Sequence, residues 1–337
     1  VTSRRALLAG SATVVVATAL AGCRQQPSGA PTPGATGSAT HHPRGSAPPP
    51  APAPDPTATH SAGAERRLLA RAESVLGHPD AGSLAASRKR LVQAIRDGHR
   101  QHVAALTSPE PTSRPLPSTS GSPSSGRTKG SLAGALAALA TAEQAAVAGY
   151  RTSAAGSVGF GSLLYASLAA AAQGYATALD ATDPATPIGG TTRPVLAPWT
   201  EIEAEQNLLA ATHAMLYGYK AALGFVSETS GTGKRMLARV LDYQRLRDRL
   251  TGLVVDGRQQ PTAAEPAYRL PVRVTGTASA TDLARRLEIA VQPHFGRCVA
   301  AATAPAVHRL ALSGLADAGG TALSWGAGVS AWPGWPR

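Results

Sequence analysis

His99 and His102 stand three residues apart on one face of a helical stretch. Glu143 lies on the next predicted helix, and Gln173 on the one after. Two imidazoles and one carboxylate could hold a single zinc with an open coordination position. Polar side chains on a helix surface are the competing reading of the same residues. Further along, Glu201, Glu205 and His213 share a helical face at spacings of four and eight, although one helix cannot close a cage around an ion. Other chemistry is missing from the sequence. Gly231-Thr232-Gly233-Lys234 fails as a phosphate loop, because Glu228 stands where the first glycine belongs, Arg235 replaces the Ser or Thr, and no strand precedes it. Neither Gly-x-Ser-x-Gly nor His-Glu-x-x-His occurs. No catalytic or cofactor-binding residue is expected and no cofactor is predicted. Iron, manganese or zinc at His213 and Glu205, or at His99, His102 and Glu143, is the alternative.

The N-terminus has chemistry of a different kind. Ser3-Arg4-Arg5-Ala6-Leu7-Leu8 is followed by an apolar run to Ala21, too short to span a bilayer comfortably, and then by Leu20-Ala21-Gly22-Cys23. A charged start, an apolar middle and small residues before a cysteine describe a signal peptide ending in a bacterial lipobox. Cys23 is the residue there whose thiol can be alkylated by a diacylglycerol. The arginine pair resembles a twin-arginine (Tat) export signal, with Leu7 where a Phe is common. The expectation is a lipoprotein, anchored by its Cys23 lipid with palmitate-type chains to the extracytoplasmic face of the cell membrane. Cys298 is then left without a partner and reads as a small buried hydrophobe. The net charge of +12 suits solvated helix surface or attraction to an envelope protein or anionic polymer. Export and the lack of finger spacing or aromatic–basic interleaving argue against nucleic acid.

The elements that must position these residues are helices. Hydrophobic residues make up 43% of the chain but aromatic residues only 4%, so alanine dominates and close helix packing is favoured over a sheet core. Residues 1–23 are the expected signal peptide. Residues 24–63 form a Pro/Ser/Thr-rich tether, expected to be disordered. Residues 64–180 hold four helices, interrupted by a disordered Ser/Pro/Gly insert at 107–130, and make one up-and-down unit. Four more helices follow in 199–337, the third carrying Pro293, which should kink it. Gly314, Gly319 and Gly320 in the last helix suggest close helix contact. The tryptophans Trp325, Trp332 and Trp335 are expected to staple the tail onto the bundle.

Four islands of the C-terminal half carry a family resemblance. Ala211-Thr212-His213-Ala214-Met215-Leu216-Tyr217-Gly218-Tyr219 is similar to the first-helix signature of the DUF4439 family. The likeness continues through Arg245-Leu246-Arg247-Asp248-Arg249-Leu250 and Pro266-Ala267-Tyr268-Arg269-Leu270-Pro271, and ends at Trp332-Pro333-Gly334-Trp335-Pro336. The resemblance implies an exported ferritin-like protein of unknown function. The fold expected is therefore all-α, with two ferritin-like up-and-down four-helix units in tandem. Such folds hold metal with a Glu from each of two helices and Glu-x-x-His from the other two. Here Thr212 stands where the family shows Glu, and Gln244 where a histidine is expected. The role expected is that of an envelope binding protein on a degenerate ferritin-like bundle, more a binder than an enzyme. The alternative is a ferritin-like metal-binding oxidoreductase or metal-storage protein.

Overall fold

A computed structural model describes residues 55–107, 130–182, 184, 186–187 and 197–336. Among them the regular structure is helical throughout: α1 Pro56–Leu76, a short 3₁₀ turn Pro79–Ser83, α2 Ala86–Thr107, α3 Leu132–Ala155, α4 Gly159–Asp180, α5 Glu201–Leu223, α6 Gly231–Asp256, α7 Thr277–Ala301 and α8 Pro305–Ser324. The signal peptide, Cys23, the tether as far as residue 54, and insert residues 108–129 lie outside the described residues.

The sequence sets the helix starts. Asp55 accepts from the Thr57 amide and Pro56 takes the first helical position, where its missing N–H loses nothing. The helix therefore begins at Pro56, inside the stretch expected to be tether, because Ser61 and Ala62 bury against the bundle. Ser131 caps α3, Thr200 and Glu203 form a capping box on α5, and Ser230 caps α6. Gly231-Thr232-Gly233 is the first turn of α6. A Cβ at Gly233 would fall 2.1 Å from the Ser227 carbonyl oxygen. At the other end of α4, Arg88 donates to the carbonyls of Leu179 and Ala181, both at 2.5 Å, and satisfies the last turn.

Two four-helix bundles result. In the first, α1 packs on α2 and α3, and α4 packs on α3 and α2. In the second, α5 packs on α6 and α7, and α7 on α8. The His78 Nε2–H, just past α1, donates to Gly130 O, just before α3, at 3.0 Å. The end of α1 thus lies beside the start of α3. Likewise Glu201 at the start of α5 accepts from Ala304 N, beyond the end of α7, at 2.7 Å. The first and third helices are antiparallel in both bundles, so the second and third run the same way. In the C-terminal bundle the long connection from Gly257 to Gly276 joins them.

Helix α4 joins the halves, packing on α7 and α8 as well as on its own bundle. It is apolar all round and buried along most of its length, from Ser162 to Leu179. Its neighbour α3 is, among the described residues, the one helix long and apolar enough to cross a membrane. Its hydropathy comes from alanines, however, and its Glu143 and Tyr150 are buried in the bundle. Helix α7 continues through Pro293. In α8, a Cβ at Gly314 would overlap the Phe295 ring at 2.1 Å, whereas Gly319 and Gly320 meet nothing within 4 Å. Close helix contact thus explains the first glycine only.

Candidate metal centre

Four ionisable side chains from three helices meet in the middle of the N-terminal bundle: Glu65 from α1, His99 and His102 from α2, and Glu143 from α3. None is more than 1% exposed. The spacing of His99 and His102 turns both rings toward α1. There the Nδ1 of His99 lies 2.6 Å and that of His102 3.1 Å from the same oxygen, Glu65 Oε2. The far side of each ring is also engaged. His99 Nε2 is 2.7 Å from Glu143 Oε1, and His102 Nε2 is 2.8 Å from the Ala331 carbonyl. The other oxygen of Glu65 accepts from the Tyr150 hydroxyl at 2.6 Å. Glu143 Oε2 is buried with no hydrogen-bond partner. Tyr175 of α4 and Trp332 of the tail close the ring wall, with centroids 5.5 Å from His99 and 4.8 Å from His102 respectively.

The hydrogen-bond inventory constrains what this cluster must contain. A carbonyl only accepts, so the Nε2 atom facing Ala331 is a donor, and the one facing Glu143 donates when that carboxylate is ionised. A neutral imidazole then has a lone pair on Nδ1, and two such lone pairs would face Glu65 Oε2. Acceptors do not sit 2.6 and 3.1 Å apart in a dry core unless a proton, on a ring or on the carboxyl, or a metal ion lies between them. Without metal, burial opposes the charge on His99, but Glu143 and Glu65 on either side overcome it and push its pKa up to about 10. Burial also opposes the charge on Glu65, yet His102 and His99 hold that carboxyl well below the usual range. Burial raises the Glu143 carboxyl, with His99 opposing. A divalent ion, two neutral rings and two carboxylates balance to zero.

Glu65, His99 and His102 each offer a ligand atom within 4.8 Å of the others. In a tetrahedron of 2.0–2.1 Å bonds such atoms stand about 3.4 Å apart, so loading needs shifts of the order of an ångström. Glu143 has a role other than the one expected. It meets His99 on the far nitrogen, where carboxylates orient metal-bound histidines. Gln173 is outside the site altogether, bonded to Gln144 on the surface. The sequence reading missed Glu65, Tyr150 and the Ala331 carbonyl. Glu65 left one sign: with Leu68, Ala72 and Val75 it follows a three–four–three spacing, placing a carboxylate in an apolar register.

The second set of candidates is not brought together. The half-buried His213 bonds the Thr262 carbonyl at 3.1 Å, and among the described residues neither it nor Glu205 joins a group of three possible ligands. Glu205 is buried, and that burial, with the charge of Glu201, raises its pKa to about 7. Thr212 donates to the Leu208 carbonyl within its own helix. Cys298 is buried as expected, its thiol bonded to the Ala204 carbonyl.

The polar centre of the C-terminal bundle uses other residues. Glu288 of α7 accepts from Arg239 at 2.9 and 3.1 Å, from Tyr219 at 2.6 Å and from Tyr243 at 2.8 Å. Arg239 also binds Asp317 at 2.6 Å. Burial works against the guanidinium, but Glu288 raises its pKa further. An arginine cannot give up its proton in this setting and has no lone pair for a metal, so this network is closed.

Residues 204–337 match the family model described as Domain of unknown function (DUF4439). Among solved structures, a conserved hypothetical protein from Mycobacterium tuberculosis is 22% identical. That match covers 37% of this chain and 93% of that one, with a TM-score of 0.36. No curated protein matches the chain.

Proposed function

We propose that this chain, whose segment 204–337 belongs to the DUF4439 family, is an exported, lipid-anchored binding protein that holds one divalent transition ion in the core of its N-terminal bundle. The carrying observation is that two imidazole Nδ1 atoms face one carboxylate oxygen while both Nε2 atoms are engaged by acceptors. His99 Nδ1, His102 Nδ1 and Glu65 are the ligands. Glu143 and Ala331 orient the rings, and Tyr150 orients the carboxylate. Two nitrogens and one carboxylate favour zinc, and the set has fewer carboxylates than the cage a ferritin-like di-iron centre uses. The long connection between α6 and α7 is compatible with a ferritin-like ancestry. The address rests on Arg4-Arg5, the apolar run and the lipobox ending in Cys23. The basic excess suits anionic partners in the envelope.

The test is metal analysis of full-length, untagged protein after exposure to zinc and removal of the excess. One ion per chain is expected, and it should be lost in the double variant His99→Gln, His102→Gln. A metal-free wild type, or an undiminished double variant, would overturn the reading. Mass spectrometry of Cys23 tests the anchor separately, an unmodified thiol being the adverse result.

A further inference from the structure

The proposed ion has no open route in. Its ligands are at most 1% exposed, and three sides of the site are helices whose backbones are fixed by their own hydrogen bonds. The fourth side is different. It is the segment after α8, which has no helix of its own and is contributed by the C-terminal half of the chain. Gly326 and Gly334 stand at its two ends with φ of +83° and +87°, a region open to glycine and strained for other residues. Between them Val329 is buried in the apolar core of the N-terminal bundle. Ala331 gives its carbonyl to His102 Nε2 at 2.8 Å. The edge of the Trp332 ring meets His102 at 4.8 Å, and its indole N–H donates to Gln101, the residue before His102, at 2.8 Å.

We propose that Gly326–Trp332 is the movable wall of the metal site. Ala331 holds His102 with Nδ1 toward Glu65, Trp332 closes over the ring, and the ion enters or leaves when this segment lifts. The inference rests on the metal reading above. Lifting the segment breaks the His102–Ala331 and Trp332–Gln101 hydrogen bonds among others and uncovers Ala327, Val329 and Trp332, whereas displacing any of α1–α4 would break helix packing along its length. A carbonyl that fixes a ligand's ring is also the kind of outer partner whose loss lowers metal affinity about ten- to hundred-fold. The DUF4439 segment thereby controls a site in the half of the chain that precedes it.

The experiment loads the full-length protein with Co²⁺, whose visible absorption reports histidine and carboxylate ligation, and follows its release into excess chelator. Trp332→Ala is expected to release Co²⁺ about ten- to hundred-fold faster than wild type. Trp332→Phe, which keeps a ring over His102, should recover most of the slow release. Gln101→Ala removes only the indole's acceptor and keeps the test available if Trp332→Ala misfolds; its release should fall between the two. Equal release rates in wild type and all folded variants would overturn the movable wall and leave the metal site standing. Failure of wild type to take up Co²⁺ would overturn both.

Discussion

Glu143 in the N-terminal bundle and Glu288 in the C-terminal bundle occupy matching places. Each lies eleven residues past the first residue of its bundle's third helix, fully buried and facing a cation from the second helix. In the C-terminal bundle that cation is Arg239, fixed by Glu288 and Asp317 and supported by two tyrosines. In the N-terminal bundle it is His99, with His102 beside it and a second carboxylate, Glu65, completing the group. The difference lies in what can be exchanged. A guanidinium keeps its protons and gives a permanent cross-brace. An imidazole can give up a proton and offer the freed lone pair to a metal ion. One architecture therefore supports a closed polar core in one half and a convertible one in the other.

The largest expected effect tests the closed half. Arg239→Ala leaves the Glu288 carboxyl buried with only two hydroxyl partners, and should destabilise the protein by about 3–5 kcal/mol. Denaturant unfolding with and without zinc measures it. A loss below about 1 kcal/mol, or one that zinc restores, would break the comparison.

Gly98→Ala tests the convertible half without touching a ligand. The new Cβ would lie 2.1 Å from the Tyr175 hydroxyl oxygen, forcing α2 and α4 apart beside His99. A loss of about 1–3 kcal/mol is expected, together with weaker zinc binding by calorimetry. Full affinity would show that the α2–α4 spacing does not set the site.

Tyr150→Phe removes the hydroxyl from Glu65 Oε1 and leaves a buried carboxylate oxygen short of a donor. The metal-free protein should lose about 1–2 kcal/mol. Zinc affinity should fall about tenfold or more, because an outer partner of a ligand is gone. An unchanged affinity would remove Tyr150 from the site.

The smallest effect concerns Glu205. Its pKa is raised on folding, so the stability its neutral form provides is complete below about pH 4.5 and drains away as the pH rises through about 7. Glu205→Gln should remove that slope and make the protein more stable than wild type at pH 8, by about 1 kcal/mol once solvent screening is allowed for. Melting curves between pH 4.5 and 8 measure it. A loss of bound metal in this variant would instead place a ligand in the C-terminal bundle.

Much of the helical layout was legible because it is written locally. Alanine-rich composition, sparse aromatics and the Pro/Gly-rich breaks between segments mark helices within a few residues. The pair His99 and His102 was equally visible, since i and i+3 share a helix face. What completes the site is not local. Glu65 is 34 residues from His99 in the chain, and Ala331 is 229 from His102. The Ala331 contribution comes from a backbone carbonyl, to which side-chain identity gives no clue. Arg239 was hidden for a related reason: its charge reads as surface until Glu288, Tyr219 and Tyr243 are brought around it by packing. His213 illustrates the converse, since a family signature drew attention to a side chain that serves a loop carbonyl.

The most direct test of the convertible core is an anomalous diffraction map at the zinc edge from crystals of the zinc-treated protein. The account predicts a single strong peak bonded to His99 Nδ1, His102 Nδ1 and Glu65, at about 2.0–2.1 Å from the nitrogens, and none within the C-terminal bundle. An empty N-terminal core, or a peak at Glu205 or His213, would contradict it.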